Sequence, residues 1–438
     1  MSRKVAVIGG GLAGSAAAAN ARKAGAEVVM LSRGPGATAF SSGALDCFGD
    51  PCPPTLRPDS AQRDAAKNLE RLLLVNPAHP YSRMTGDEPD AAFTRLRELL
   101  SGTLDLLFPE GGGLALAGEL ESSTPLFTSL GTIKFTNLHP ANMAGPDQAG
   151  SDRPLVIGVH GLNDFDPELW TRTARQNTER LGKKLSPICA DIVFDGRGER
   201  QSPELAAQVE AAPEQFINAV GAAKDKAREA SCLILPPVLP LGPREKLMSE
   251  LAGGFSLPVY EVLSLPPSVP GLRLFEHLEK RVAALGIELM RAEAVGFDHE
   301  AGRVKSLVVR QGGEESRLEA HAFVLAGGKF IAGGLEKKRA FREKLFGLPI
   351  YLDDRIVDEI FIEKVLGRGV NDRHPLFEAG LKNDERLRPI NREGLPAYEN
   401  LFAAGAVLAG YNYLRDGTGA GVALAAGAQA GINAARPG

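Results

Sequence analysis

The sequence predicts an α/β protein whose main parallel sheet is discontinuous, because both ends of the chain contribute to it around an inserted second α/β domain. Three observations support this fold class: a βαβ pattern opens the chain, strand and helix patterns alternate again between positions 154 and 263, and glycine clusters recur near both ends. Glycine is over-represented, with 50 among 438 residues, where average usage would give about 31. We expect the surplus to mark points of close backbone approach.

Composition excludes several classes of protein. With 24% charged residues and a mean hydropathy of −0.09, the chain has neither the composition of a disordered protein nor that of a membrane span. The net charge is −4 and the basic residues are scattered, which disfavours a nucleic-acid partner. The cysteines Cys47, Cys52, Cys189 and Cys232 form no CxxC pair, so neither zinc nor an iron–sulfur cluster is predicted. The first apolar run is too short for a signal peptide, and a reducing, cytoplasmic location is expected.

The opening βαβ unit consists of a β-branched strand at Val5–Ile8, an Ala-rich helix at Leu12–Ala24 and a second strand at Glu27–Leu31. Helical periodicity then predicts two helices, Ala61–Leu74 and Asp90–Leu107. Strands and helices alternate from Pro154 to Leu263, including one long helix over Pro203–Ala230.

The last third of the chain begins with an amphipathic helix at Leu272–Leu285. Strands are predicted near Ile287–Met290, Arg303–Val309 and Ala322–Leu325, and an apolar helix near Ile356–Val365. From Asn400 the pattern is a short strand, a glycine-rich loop and an Ala-rich helix. We therefore expect a first part of the main domain at 1–150, an inserted α/β domain at 151–265, and a second part at 266–438 with a charged insertion near 336–395.

The segment Gly9–Gly14 reads GxGxxG and lies between a predicted strand and a predicted helix. In this context Gly9 permits a tight turn, Gly11 lets the backbone approach a phosphate, and Gly14 lets the helix pack close to the sheet. The segment predicts a Rossmann-like domain that binds the phosphate of a dinucleotide or a flavin.

The second strand of such a domain usually ends in an acid that binds the adenosine ribose, but Ser32 and Arg33 stand here. A serine accepts fewer hydrogen bonds from the two ribose hydroxyls, while Arg33 suits a phosphate. Three cofactors remain open from this position: FAD, FMN without the adenosine, and a 2′-phosphorylated nicotinamide dinucleotide.

Glycine clusters late in the chain favour a flavin, because flavoproteins of the glutathione-reductase or fumarate-reductase type return to their cofactor near the C-terminus. The predicted flavin contacts in these clusters are Gly327, Gly328, Gly405, Gly417, Thr418 and Gly419. The last three open the terminal helix, whose N–H groups and dipole could face the flavin N1–C2=O edge. After the second strand, the small residues Ser41, Ser42 and Gly43 suit close approach to the flat ring.

Several motifs far apart in sequence resemble one family. They are the Gly9–Gly14 fingerprint, Phe40–Asp46, Pro77–Tyr81, Leu130–Thr132, Leu265–Val269 with Gly271–Leu274, Asp384–Glu385 with Leu387–Pro389, and the glycine-rich end. Together they resemble the B subunit of anaerobic glycerol-3-phosphate dehydrogenase over nearly the whole chain. The resemblance implies a flavin subunit, usually described with FMN, in a three-part complex that oxidises sn-glycerol 3-phosphate to dihydroxyacetone phosphate and reduces quinone.

The resemblance also implies partners: a catalytic flavoprotein subunit, and an iron–sulfur subunit that anchors the complex at the inner face of the cytoplasmic membrane. Oxidation of a secondary alcohol needs a hydride acceptor, a base for the hydroxyl proton and a cation for the substrate phosphate. We expect Arg273 to bind the phosphate, His79 to act as the base and Lys329 to lie near the flavin. Further candidates are Lys134 and Arg388 as phosphate ligands and His139 as a base.

Two other functions stay open from the sequence. The chain could be a non-catalytic electron-transfer or assembly subunit, because no base and phosphate ligand stand at a recognisable spacing. It could also be a nicotinamide-dependent oxidoreductase, since the N-terminal fingerprint serves both cofactors.

Overall fold

A computed structural model of the protein describes residues 3–50, 63–85, 89–147, 153–194, 198–338, 340–357, 362–367, 369 and 372–436. Within these residues the strands are β1 (Lys4–Ile8), β2 (Glu27–Leu31), β3 (Leu116–Gly118), β4 (Thr124–Phe127), β5 (Ile133–Thr136), β6 (Leu138–Pro140), β7 (Leu155–Val159), β8 (Ile188–Ile192), β9 (Leu233–Leu235), β10 (Val259–Glu261), β11 (Glu288–Met290), β12 (Glu293–Glu300), β13 (Arg303–Gln311), β14 (Glu314–Glu319), β15 (Ala322–Leu325), β16 (Leu335–Lys337), β17 (Phe341–Glu343), β18 (Tyr351–Leu352), β19 (Arg355–Ile356) and β20 (Leu401–Ala403).

The α-helices in the same residues are α1 (Leu12–Lys23), α2 (Ala65–Val75), α3 (Ser82–Thr85), α4 (Pro89–Leu107), α5 (Pro167–Arg180), α6 (Ser202–Ala211), α7 (Pro213–Gly221), α8 (Glu245–Phe255), α9 (Val269–Ala284), α10 (Tyr413–Asp416) and α11 (Gly419–Ala435). None of the described helices is long and apolar enough to cross a lipid bilayer.

The main sheet has five parallel strands in the order β11-β2-β1-β15-β20. Val7 of β1 lies opposite Met30 of β2 on one side and opposite Val324 of β15 on the other. The three central strands are short apolar runs with buried side chains, as expected for a parallel sheet covered on both faces. The predicted α/β class, with a main sheet built from both ends of the chain, is confirmed.

Helices α1 and α11, from opposite ends of the chain, pack against each other without room for side chains at their contact. A Cβ atom on Gly427 would lie 2.4 Å from the carbonyl oxygen of Ala13, and one on Gly431 would lie 2.2 Å from that of Ala17. Both distances are well inside van der Waals contact, so only glycine fits at these positions. Part of the glycine surplus is therefore explained by helix packing.

A second sheet lies within the middle of the chain, with its four parallel strands in the order β10-β9-β7-β8. It has its own hydrophobic core, in which the Trp170 ring is fully buried and contacts Phe127 edge-on at 4.9 Å. The single helix predicted over Pro203–Ala230 is wrong. Pro213 has no N–H to continue the first helix, so α6 ends before it and α7 begins with it, followed by a 3-10 turn at Lys224–Glu229.

The protein also has antiparallel strands outside the two parallel sheets, and of those named next the sequence patterns predicted only the region of β13. The strands β12, β13 and β14 form a meander, while β3 pairs with β6 and β4 with β5. The helix predicted near Ile356–Val365 is also wrong among the described residues. That segment instead contains the end of strand β19 and a 3-10 turn at Ile362–Lys364, and residues 358–361 lie outside the described part.

A buried ion pair joins the two α/β units. Arg273 on α9 and Glu261 at the end of β10 make a bidentate contact, with Nη1–Oε2 and Nη2–Oε1 distances of 2.6 and 2.7 Å. The remaining Arg273 donors go to the carbonyl oxygens of Leu239 and Pro240, at 2.6 and 2.9 Å. Because both charges are buried, loss of either side chain would leave the other charge without a counter-charge.

We expect the substitution Gly431→Ala to destabilise the protein by about 1–3 kcal/mol, because the new methyl group overpacks the contact between α1 and α11. The matched control is Gly253→Ala in α8, where a Cβ meets nothing within 4 Å. That change should stabilise the protein by about 0.5–1 kcal/mol, as alanine does in an open helix. Urea unfolding of both variants measures the difference, and equal effects would contradict the packing described.

Replacing Arg273 with leucine should cost about 3–5 kcal/mol, because Glu261 would be left buried without its counter-charge. Replacing Glu261 as well, with leucine, should recover part of that loss. The exposed pair of Arg228 and Asp225, at 3.2 Å, provides the control. Arg228→Gln should leave the free energy of unfolding unchanged within error, and a similarly small effect at Arg273 would show that the buried pair has no structural role.

Candidate functional site

The turn between β1 and α1 is held by very close backbone contacts. Gly9 has a φ of +119°, and a Cβ atom there would lie 2.2 Å from the carbonyl oxygen of Ala326. A Cβ atom on Gly14 would lie 1.8 Å from the carbonyl oxygen of Gly9. The turn therefore requires glycine at both positions, as the fingerprint predicted.

The N-terminus of α1 faces a hydroxyl group that the sequence patterns did not identify. Gly11 is the N-cap residue and brings no side chain to the helix end. The N–H of Leu12 donates to Thr38 Oγ1 at 3.1 Å. Since this hydroxyl accepts from the helix, its own proton is left to donate to an anion. The sequence signal for this contact is the presence of a threonine in the loop that follows β2.

Ser32 and Arg33, at the end of β2, have different surroundings. Ser32 is buried, and a Cβ atom on Gly10 would lie 2.4 Å from its Oγ, so a small residue is needed beside the glycine turn. The Arg33 guanidinium donates to Glu293 Oε1 at 3.1 Å and to the carbonyl oxygen of Ala332 at 2.9 Å. Arg33 is thus engaged with β12 and with the turn after β15, and its role as a phosphate ligand stays a prediction.

The late glycine clusters come together with the first turn, although they are more than 300 residues apart in sequence. The carbonyl group of Ala326, which precedes Gly327 and Gly328, packs on Gly9. Gly405 has a φ of +75°, and a Cβ atom there would lie 2.5 Å from the Cβ of Ala13. The structure therefore brings the turns after β1, β15 and β20 to the same edge of the main sheet.

The loop after β2 is fixed on the first turn of α9. Ser41 Oγ donates to the carbonyl oxygen of Thr38 at 2.7 Å. A Cβ atom on Gly43 would lie 2.5 Å from the Cβ of Pro270, and one on Gly271 would lie 2.4 Å from the carbonyl oxygen of Ser41. These contacts hold the loop against α9, and they require small residues at positions 43 and 271.

The beginning of α11 is capped by the same loop. The N–H groups of Ala420 and Gly421 donate to the carbonyl oxygen of Asp46, at 3.1 and 3.0 Å. The N–H groups of Ala420 and Gly421 thus already have an acceptor within the protein. The positions left for a cofactor contact are Gly417, Thr418 and Gly419, before the capped turn.

Asp46 also belongs to a cluster of polar side chains in this region. Its Oδ2 lies 2.7 Å from Lys134 Nζ, which is in turn 3.4 Å from Ser42 Oγ. Its Oδ1 is buried but has no hydrogen-bond partner among the described residues. Sequence reasoning considered Lys134 and Ser42 separately and missed Asp46, although it closes the same loop motif.

His79 is completely buried and neutral. Its Nδ1 accepts from the N–H of Tyr81 at 3.2 Å, and its Nε2 lies 3.1 Å from Thr418 Oγ1. Since Nδ1 is an acceptor, the ring proton is on Nε2 and is directed at Thr418. Burial lowers the pKa of the imidazole to about 3. This environment suits a residue that orients Thr418 at the start of α11, and it does not suit the predicted base.

Lys329, which follows the Gly327–Gly328 turn, is also buried. Its Nζ donates to the carbonyl oxygen of Phe377 and lies 5.2 Å from the centroid of the Tyr411 ring. Burial lowers the pKa of this ammonium group to about 7, while Glu378 and Asp416 act in the opposite direction. Lys329 lies beside the predicted cofactor turn, but its polar contacts are with the protein interior.

The structure does not support a phosphate-binding role for Arg273. Its guanidinium is 3% exposed and is occupied by Glu261 and two carbonyl oxygens, so we assign it the structural role described above. Arg388 is held by Asp384 at 2.7 Å. His139 Nδ1 contacts the carbonyl oxygen of Pro140 at 2.9 Å, and burial lowers the pKa of its imidazole.

The residues present fit a flavin. A glycine turn that no Cβ could enter, a helix N-terminus beside the Thr38 hydroxyl, and a loop of small residues form one continuous edge. In the described residues no group of three His, Cys, Asp or Glu side chains is arranged to hold a metal ion. The cysteines described, Cys47, Cys189 and Cys232, are free thiols, and Cys52 lies outside the described part.

Comparison with known proteins agrees with this geometry. A family model for the FAD binding domain matches residues 4–422. The chain is similar to the B subunit of anaerobic glycerol-3-phosphate dehydrogenase from Pectobacterium atrosepticum, with 31% identity over 97% of this chain and 96% of that protein. The protein of the same name from Vibrio vulnificus is 28% identical over 96% of this chain and 93% of its own length.

Among solved structures, 3-ketosteroid-delta4-(5alpha)-dehydrogenase from Rhodococcus jostii RHA1 aligns over 99% of this chain and 97% of that chain, with 14% identity and a TM-score of 0.41.

The family match favours a flavin over the nicotinamide alternative, and the chain is a flavoprotein of oxidoreductase type. From its full-length similarity, the chain belongs to the FAD-binding domain family and, within it, to the family of the B subunit of anaerobic glycerol-3-phosphate dehydrogenase.

Proposed function

We propose that this chain is a flavin-bearing subunit of an anaerobic respiratory complex, and that it oxidises sn-glycerol 3-phosphate to dihydroxyacetone phosphate. The observation that carries the proposal is the similarity to relatives named as the B subunit of anaerobic glycerol-3-phosphate dehydrogenase, which extends over nearly the full length of both chains. In this proposal a catalytic flavoprotein subunit and an iron–sulfur subunit complete the complex, and electrons pass through them to quinone at the inner face of the cytoplasmic membrane.

The chain's own residues have distinct tasks in this proposal. The Gly9–Gly14 turn and the Thr38 hydroxyl would hold the flavin phosphate, and the loop with Ser41, Ser42 and Gly43 would lie against the ring. When bound, the flavin supplies a hydride acceptor at N5. The protein must then bind the substrate, exclude water and remove the hydroxyl proton.

Either FAD or FMN is compatible with the proposal. The fingerprint turn and the family favour a dinucleotide, whereas Ser32 offers one small hydroxyl where an acid would bind the adenosine ribose. Heat release of the cofactor followed by chromatography distinguishes the two, because only FAD contains AMP.

A second candidate function is that of a non-catalytic electron-transfer or assembly subunit. It is favoured by the burial of Arg273, His79 and Lys329, since each of these predicted catalytic residues is engaged with other protein groups. In that case the substrate would be oxidised on the partner flavoprotein, and the flavin of this chain would relay electrons.

We expect Gly11→Asp to reduce flavin occupancy at least about tenfold, because the new carboxylate would repel the phosphate at the helix N-terminus. Gly11 has a φ of −80°, and a Cβ atom there meets only Thr38 Oγ1, at 3.0 Å, so the backbone tolerates a side chain. Gly11→Asn is the matched control for size without charge. Absorbance at 450 nm per mole of folded protein measures occupancy, and full occupancy in Gly11→Asp would contradict the phosphate placement.

Glycerol 3-phosphate should bleach the flavin of the complex under anaerobic conditions. The reconstituted complex is compared with the same complex in which this chain is the apo Gly11→Asp variant, so that the two flavin subunits are distinguished. The rate at which this chain's flavin loses its 450 nm band is compared with the rate of electron exchange between the two flavin subunits. If the bleaching is faster than the exchange, the substrate is oxidised on this chain. If its flavin bleaches only after that of the partner, the electron-transfer function is the correct one.

A further inference from the structure

We infer that Asp46 accepts the hydroxyl proton during substrate oxidation and that Lys134 positions it. The inference rests on the proposed function and names a catalytic base that the sequence patterns did not identify.

The carboxylate of Asp46 is prepared for one additional donor. Oδ2 accepts a charge-assisted hydrogen bond from Lys134 Nζ at 2.7 Å, whereas Oδ1 is buried and has no partner among the described residues. An unpaired buried oxygen is costly in a folded protein unless a ligand or water satisfies it. The hydroxyl group of an alcohol is a donor of the required kind.

The main chain of Asp46 is fixed at the predicted ring site. Its carbonyl oxygen accepts the first N–H groups of α11 from Ala420 and Gly421. The loop that leads to it begins at Thr38, beside the N-terminus of α1. The main chain of Asp46 is therefore held by α11, and a movement of its backbone would break the cap of that helix.

Both side chains of the pair remain accessible, with side-chain exposures of 32% for Lys134 and 22% for Asp46. Lys134 comes from β5, in a hairpin separate from the loop of Asp46, and it also reaches Ser42 Oγ. By contrast, the exposures of His79 and Lys329 are 0% and 6%, so a substrate has little access to them. Of these groups, Asp46 is the one with both a partly exposed side chain and an acceptor oxygen that has no partner among the described residues. That oxygen, Oδ1, is itself buried, so a bound alcohol must displace the groups that cover it.

With this assignment, the hydroxyl proton and the electron pair released in the oxidation each have an acceptor. When the C–H bond of the carbinol carbon breaks, its hydrogen and electron pair would leave as hydride, for which a bound flavin would be the acceptor. The C–O bond becomes a carbonyl, and the O–H proton passes to Asp46 Oδ1. As the hydride leaves, the hydroxyl group becomes part of a protonated ketone. A protonated ketone is a far stronger acid than a carboxylic acid, so the carboxylate of Asp46 is basic enough to take its proton.

The central test is Asp46→Asn in the reconstituted holo-complex. We expect the rate of flavin reduction by glycerol 3-phosphate to fall about 100-fold or more, the usual effect of removing a general base. Flavin content and reduction by dithionite should be unchanged. Asp354→Asn is the matched control, because its carboxylate also pairs with a lysine, Lys382 at 2.5 Å, on an exposed surface. The control should reduce its flavin at the wild-type rate.

Chemical rescue distinguishes a base from a structural carboxylate. The slow reduction of Asp46→Ala should be accelerated by added formate in a concentration-dependent manner, since a small carboxylate can occupy the vacated position. No such acceleration should occur with Asp354→Asn. A wild-type rate in Asp46→Asn, or a slow Asp46→Ala that formate does not rescue, would overturn the assignment.

Lys134 provides a second test if the Asp46 variants do not fold. Lys134→Gln should slow flavin reduction about tenfold, while Lys134→Arg, which retains a cationic donor, should restore most of the rate. Equal rates in wild type and Lys134→Gln would overturn the positioning role. If the wild-type flavin itself is not reduced by glycerol 3-phosphate, the proposed function fails first, and the assignment of Asp46 fails with it.

Discussion

The close approach of α1 and α11 is the constraint on which the rest of the structure depends. These helices lie at opposite ends of the chain, and their contact distances allow no side chain at Gly427 or Gly431. Their packing places the turns after β1 and β20 side by side and sets the start of α11 against the loop of Asp46. Residues that are distant in sequence thereby reach one edge of the main sheet.

The parts of this arrangement that depend on local sequence could be predicted. A fingerprint turn such as Gly9–Gly14 requires particular residues at particular positions, and so does a positive φ at Gly405. The alternation of short apolar strands with helices predicted the parallel sheets for the same reason. The ends of helices were harder to predict where a single residue determines them, as Pro213 does between α6 and α7.

The roles of polar side chains could not be predicted in the same way. An arginine at the start of a helix has the same local sequence whether it faces a ligand or a buried Glu261, so Arg273 was assigned to the wrong partner. His79 lies in a distinctive motif, but its surroundings come from Tyr81, Tyr411 and Thr418. Asp46 escaped notice because its significance depends on Lys134, from a hairpin that the patterns did not reveal. In each case the deciding contact is long-range.

The capping of α11 by Asp46 has a consequence for biosynthesis. Ribosomes release the N-terminal segment first, so a nascent chain displays its fingerprint turn long before β20 and α11 exist. Until those last elements emerge, α1 lacks the helix that packs on Ala13 and Ala17, and the loop of Asp46 has no helix to cap. Closure of this edge of the main sheet is therefore a late event in synthesis. A message interrupted before codon 419 would yield a chain that contains the fingerprint turn but lacks the helix that packs on α1.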